Sequence, residues 1–95
     1  MQKIVINAQH GGFGLSEEAM QLYKRLTGIA PQSILYDREI PRDSPQLVQI
    51  VEQLGERANN WYSRLKVVEV PEGVEWHIHE YDGMEHVAED HRTWY

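Results

Sequence analysis

Two groups of residues in this chain have the types and spacing to do chemistry. Gly12-Phe13-Gly14-Leu15-Ser16, with Gly11 before it, follows an apolar run and opens an amphipathic segment. Backbone N–H groups of such a loop, backed by the positive end of a helix, can cradle a phosphate. Asp37 follows near the distance of about 20 residues at which a dinucleotide fold places its ribose-binding acid. Ser16 stands where that fingerprint has its third glycine, and no Gly-Lys-Ser or Gly-Lys-Thr triplet marks a triphosphate loop. A turn that needs glycine for positive φ accounts for the stretch equally well. The second group is His77 and His79, which share one face of an alternating stretch with Glu75 and Tyr81. Two imidazoles at i and i+2 on a strand can reach one ion such as Zn²⁺ or Ni²⁺, and His86 and His91 could complete its ligand set. Any solvent-facing strand shows the same alternation, so the expectation is an exposed face with no stoichiometric metal and no cofactor.

No nucleophile stands out. Ser16, Ser33, Ser44 and Ser63 fall at caps or loops, and spacing alone argues no Ser-His-acid arrangement, so enzymatic activity is not expected. Trp61, Tyr62, Trp94 and Tyr95 sit in short, exposed-looking segments, and Trp and Tyr are favoured anchors at protein interfaces. The alternative is structural: Trp61 covering a helix end and Trp94 docking the tail onto the core.

These residues need elements to position them. Lys3 to Ala8 reads as a strand, because the continuous β-branched run Ile4, Val5, Ile6 suits a strand covered on both faces. Ser16 is an N-cap, with Glu17 and Glu18 in the first turn. Leu15, Ala19, Leu22, Tyr23 and Leu26 then follow at helical spacing, with Glu18, Gln21 and Lys24 or Arg25 outward, up to the stop at Gly28. Ile34-Leu35-Tyr36 predicts a second strand. Ser44 and Pro45 open a second helix whose stripe is Leu47, Val48, Ile50, Val51, Leu54 and Ala58, with Gly55 marking a bend or a close neighbour before Asn59-Asn60 ends it. Leu65 to Val70 and Val74 to Tyr81 predict two antiparallel strands joined through Pro71-Glu72-Gly73. Asp82, with Glu85 three residues on and Met84, Val87 and Ala88 at helical spacing, favours a short final helix; a hairpin turned at Tyr81-Asp82-Gly83 is the other option. The fold class expected is a single α+β or small α/β domain, residues 1–95. Its compact sheet of three to four strands packs on two main helices in the order β-α-β-α-β-β, plus the short C-terminal helix.

Composition narrows the function classes. At 95 residues, 41% hydrophobic and 25% charged, the chain is an ordinary globular domain; one this small buries only about 60–65% of its unfolded surface, which leaves room for a homodimer. A net charge of −6 with nine Lys and Arg disfavours nucleic acid. The sequence holds no cysteine for disulfides or thiolate sites, no apolar run near the roughly 20 residues of a membrane span, and no signal-peptide pattern, so a cytoplasmic location is expected.

Lys3-Ile4-Val5-Ile6-Asn7 with Gly11-Gly12-Phe13-Gly14-Leu15-Ser16, Tyr36-Asp37-Arg38-Glu39-Ile40-Pro41-Arg42, Glu80-Tyr81-Asp82-Gly83 and His91-Arg92-Thr93-Trp94 resemble a family of small bacteriophage and prophage proteins over nearly the whole chain. Many of its members are longer between the first helix and the Tyr-Asp-Arg segment, so the resemblance implies that the Gly14-to-Asp37 spacing is not fixed. It implies an accessory protein of the bacterial host cytoplasm, directed against a host defence, and transfers no catalytic residue. The expected function is therefore non-enzymatic binding of a host protein. The competing expectations are capture of a nucleotide or other phosphorylated ligand at Gly11, Gly12, Phe13, Gly14, Ser16 and Asp37, and metal binding at His77 and His79.

Overall fold

A computed structural model describes residues 1–89 of the chain. Strand β1 (Gln2–Asn7) leads into helix α1 (Glu17–Thr27). A 3-10 turn (Asp37–Glu39) precedes helix α2 (Pro45–Leu54), which continues as a second 3-10 turn (Gly55–Ala58). Strands β2 (Leu65–Val70), β3 (Trp76–Tyr81) and β4 (Met84–Glu89) follow. This is the expected small α+β fold, with the four strands divided between two antiparallel ribbons, β1–β2 and β3–β4.

β1 lies at the centre. Its register with β2 sets Ile4 against Val68 and Val5 against Val67. Val5, Leu65 and Val67 meet the buried faces of α1 and α2, built from Ala19, Tyr23, Leu47, Ile50 and Val51. Ile4, Ile6 and Val70 face the other way, against Trp76, Ile78 and Val87 of the β3–β4 hairpin. Three layers result, helices over ribbon over hairpin, and the unbroken apolar run of β1 follows from burial on both faces.

The helix signals act as read. Ser16 Oγ accepts from Ala19 N, Ser44 Oγ accepts from Leu47 N, and Gly28 closes α1 with φ of 79°. Gly55 marks no close neighbour: its φ of 59° ends α2 and starts the 3-10 turn. Three local expectations differ. Of Lys24 and Arg25 it is Arg25 that faces outward, while Lys24 is buried with its Nζ donating to Pro31 O (3.2 Å) and Ser33 O (2.6 Å); Leu26, expected on the inner stripe, lies at the exposed margin of α1. That ammonium holds 29–36 as a loop, so Ile34-Leu35-Tyr36 is not a strand and Ile34 is left exposed. Met84 to Glu89 is a strand, not a helix, because Asp82 (φ 52°) and Gly83 (φ 88°) make the tight hairpin turn between Tyr81 and Met84.

Why the strands form two ribbons rather than one sheet is visible at the free edge of β1. Val5 N donates to Arg42 O (2.8 Å), and Asn7 N donates to the Glu85 carboxylate (2.8 Å). Arg42 clamps the same carboxylate in bidentate fashion, at 2.6 and 2.9 Å, and stacks 3.6 Å from the Phe13 ring centroid. An ion pair thus occupies the edge where β4 backbone would otherwise pair.

Candidate functional site

The glycine loop, the 60–63 turn and the hairpin tip meet at one end of the molecule, and Asn7 joins them. Its side chain accepts from Arg64 N (2.8 Å) and donates to Gln9 O (2.6 Å) and Gly83 O (2.7 Å). Gly11 (φ 128°) is pressed against Tyr62, where a Cβ would stand 2.5 Å from the carbonyl oxygen; one on Gly83 would stand 2.5 Å from the Gly11 and Gly12 nitrogens. Close backbone approach, as much as positive φ, demands glycine here.

The structure brings Asp37 to this loop, as the spacing suggested, but its carboxylate is itself the anion there: Oδ1 accepts from Leu15 N (3.2 Å). Ser16 N donates to Ala58 O (2.8 Å), and Ser16 Oγ both donates to Arg57 O (2.7 Å) and caps α1. Phe13 lies under Arg42. Gly14 O accepts from Ser63 Oγ (2.7 Å), and a Cβ on Gly14 would collide with the Asn60 amide. Two of the loop's backbone donors, Leu15 N and Ser16 N, are thus engaged within the protein. Glu17 and Glu18 add negative charge to the same helix start, and Glu18 ion-pairs with Arg57. Hydrogen bonding to Glu18 first, and its charge second, raises the Arg57 pKa further and keeps that guanidinium charged.

What this end presents outward is aromatic. Trp61 is 94% exposed and Tyr62 is 68% exposed, so Trp61 covers no helix end. Their turn is held on both sides: Tyr62 N donates to Asn60 Oδ1 (2.8 Å) and Asn60 N donates to Ser63 Oγ (3.0 Å). Beside the indole lies a groove of about 470 Å³ lined by Leu15, Ser16, Glu17, Asn59, Asn60 and Trp61. Tyr81, 80% exposed at the hairpin tip, was not singled out as an anchor; its place before Asp82-Gly83, at the head of a tight turn, was the available signal. Trp94 and Tyr95, with His91, lie outside the described residues.

No family model, curated protein or solved structure matches the chain.

The histidines occupy a separate face. His77 and His79 are exposed, opposite Trp76 and Ile78, as alternation predicts. His86 pairs directly with His79 across the hairpin. Among the described residues no three His, Asp or Glu side chains are placed to hold a metal ion, and no helix is long and apolar enough to cross a membrane.

Proposed function

We propose that this chain is a non-enzymatic accessory protein of the phage type that binds a host protein in the bacterial cytoplasm, in the role of an anti-defence inhibitor. The observation that supports binding is Trp61: an indole 94% exposed on a turn fixed by Asn60 and Ser63. Leaving an indole in water forgoes its large burial energy, and holding it on a rigid turn lowers the ordering cost when a partner covers it. Tyr62 beside it is also exposed, and exposed Trp and Tyr are the residue types that form interface hot spots. The phage origin and the host compartment rest on the sequence resemblance. The nucleotide alternative draws no comparable support, because the loop donors at Leu15 and Ser16 already have acceptors.

The test is retention from bacterial host lysate by the immobilised intact chain, by Trp61→Ala and by Trp94→Ala, followed by reconstitution with the purified partner. Retention by the intact chain and its loss in Trp61→Ala, at unchanged melting temperature, is the expected outcome. A partner held equally by Trp61→Ala places recognition elsewhere; no partner for the intact chain removes the proposal.

A further inference from the structure

The groove beside the Trp61 indole has one charged side chain in its lining, Glu17. Its other walls are tied down. Leu15 is buried with its N–H on Asp37, Asn59 Oδ1 accepts from Leu65 N (2.7 Å), and Asn60 Oδ1 accepts from Tyr62 N (2.8 Å). We propose that this groove receives an arginine side chain of the partner, its guanidinium stacked on the indole and hydrogen-bonded to the Glu17 carboxylate. The inference rests on the protein-binding role proposed above and names the chemistry of the segment recognised: basic, with arginine as its anchor.

Charge decides against an anionic or a purely apolar occupant. Glu18 is matched by Arg57, whereas among the described residues neither Glu17 nor Asp37 pairs with a cation. Asp37 is held against the groove through Leu15 N (3.2 Å). The positive end of α1 supplies only about half a unit of opposite charge, so the local balance stays negative. The whole chain carries −6, which steers basic segments toward it. An apolar side chain seated on the indole would take water from Glu17 and give it no partner; a cation there compensates the carboxylate as it covers the ring.

The indole supplies the other half of the recognition. Arg42 lies 3.6 Å from the Phe13 ring centroid and Arg38 lies 4.6 Å from that of Tyr36, so the chain already covers two weaker aromatic faces with guanidinium groups. Trp61, the ring type that attracts cations best, has none over it among the described residues and is 94% exposed. Arginine suits the pair better than lysine, because a planar guanidinium stacks on a ring while its edge donates two N–H bonds to one carboxylate. Both arms stand on fixed backbone. Glu17 follows the Ser16 cap of α1, and Trp61 lies between Asn60 and Ser63, whose hydrogen bond closes the turn, so little ordering opposes the contact.

The experiment is titration of the isotope-labelled chain with the blocked peptide acetyl-Gly-Arg-Gly-amide, following the indole N–H resonance of Trp61, assigned by its absence from Trp61→Phe. The same peptide with citrulline, uncharged and of nearly the same shape, is the comparison. The arginine peptide is expected to shift that resonance saturably and to bind about tenfold more tightly than the citrulline peptide, which lacks both the cation over the ring and the ion pair. Glu17→Gln is expected to weaken the arginine peptide about threefold, as loss of one exposed pair does, and added salt to act in the same direction. In Trp61→Ala, at unchanged melting temperature, the accompanying shifts of the Glu17 and Asn60 backbone amides are expected to vanish. No saturable shift, equal affinity for the two peptides, or full affinity in a folded Glu17→Gln overturns the proposal. The peptide comparison uses the unaltered chain, so it decides even where a variant fails to fold. It also needs no host protein: an absent partner in lysate removes the binding role, whereas equal peptide affinities with a partner still lost in Trp61→Ala remove only the arginine.

Discussion

The β1–β2 ribbon is covered twice, and the two covers are built differently. On the helical side Val5 joins a large apolar cluster in which Ala19, Leu47, Ile50 and Ala58 have no exposed surface. On the hairpin side only Ile4, Ile6 and Val70 are fully buried, and Trp76, Ile78 and Val87 press on them half-exposed. Polar connections supplement that thinner interface: Glu85 against Arg42 and Asn7 N, and the Asn7 amide against Gly83 O. The helical side depends on area removed from water, whereas the hairpin side depends on a few hydrogen bonds with fixed geometry.

Breaking each interface in turn measures that difference. Ile50→Ala, which leaves a cavity between the helices and β1, is expected to cost about 4 kcal/mol by chemical denaturation. Glu85→Ala removes the acceptor of Asn7 N and the partner of Arg42. Because those side chains are 7% and 19% exposed, and Arg42 keeps the Phe13 ring, the loss expected is about 3 kcal/mol, at the low end for a broken buried pair. A loss well under 1 kcal/mol would show that apolar contact alone seats the hairpin. Trp76→Ala is expected to cost about 2 kcal/mol, less than the 3–5 kcal/mol of a wholly buried Trp, because part of its ring surface stays wet. Replacing His77 and His79 together by Ala, in chelator, should change stability by under about 1 kcal/mol, as exposed positions do. A larger effect than that of Trp76 would mean that the outer face, not the inner, holds the hairpin in place.

A further measurement concerns the loop rather than the interfaces. Melting curves with mono-, di- and cyclic nucleotides are expected to be flat, since Leu15 N and Ser16 N are already bonded. A ligand at 100 times its dissociation constant would add about 2.7 kcal/mol and be seen readily.

The sequence was most informative where a local rule acts alone. Ser16 with Ala19, and Ser44 with Pro45 and Leu47, are capping signals complete within four residues, and both helices start there. The alternation of β3 likewise put His77 and His79 outside and Trp76 and Ile78 inside. Local rules failed where a distant side chain outweighed them. Ile34-Leu35-Tyr36 has strand propensity, but the Lys24 ammonium claims the carbonyls just before it. Asp82 and Glu85 have the spacing of a capping box, yet Glu85 serves the edge of β1, where Asn7 is its partner. The Arg42–Glu85 pair has no signature at all, because nothing near either residue announces the other. Asp37 was located correctly with respect to the glycine loop and given a different role, accepting the loop N–H instead of a ligand hydroxyl.

The central position of β1 has a consequence in time. Ile4, Val5 and Ile6 leave the ribosome long before Leu65–Val70, the strand that pairs with them, and before Glu85, which accepts from Asn7 N at their other edge. During that interval both helices can form from local signals, but they have only an unpaired apolar strand to pack against, an arrangement open to misassociation. Closing so long a loop before its contacts can stabilise it makes ribbon pairing the slow step expected of a non-local topology. The nascent chain is thus exposed to aggregation until β2 emerges, and protection against hydrogen exchange of the Ile4 and Ile6 amides, which alternate with Val5 and Asn7 and so face β2, should appear after that of the α2 interior.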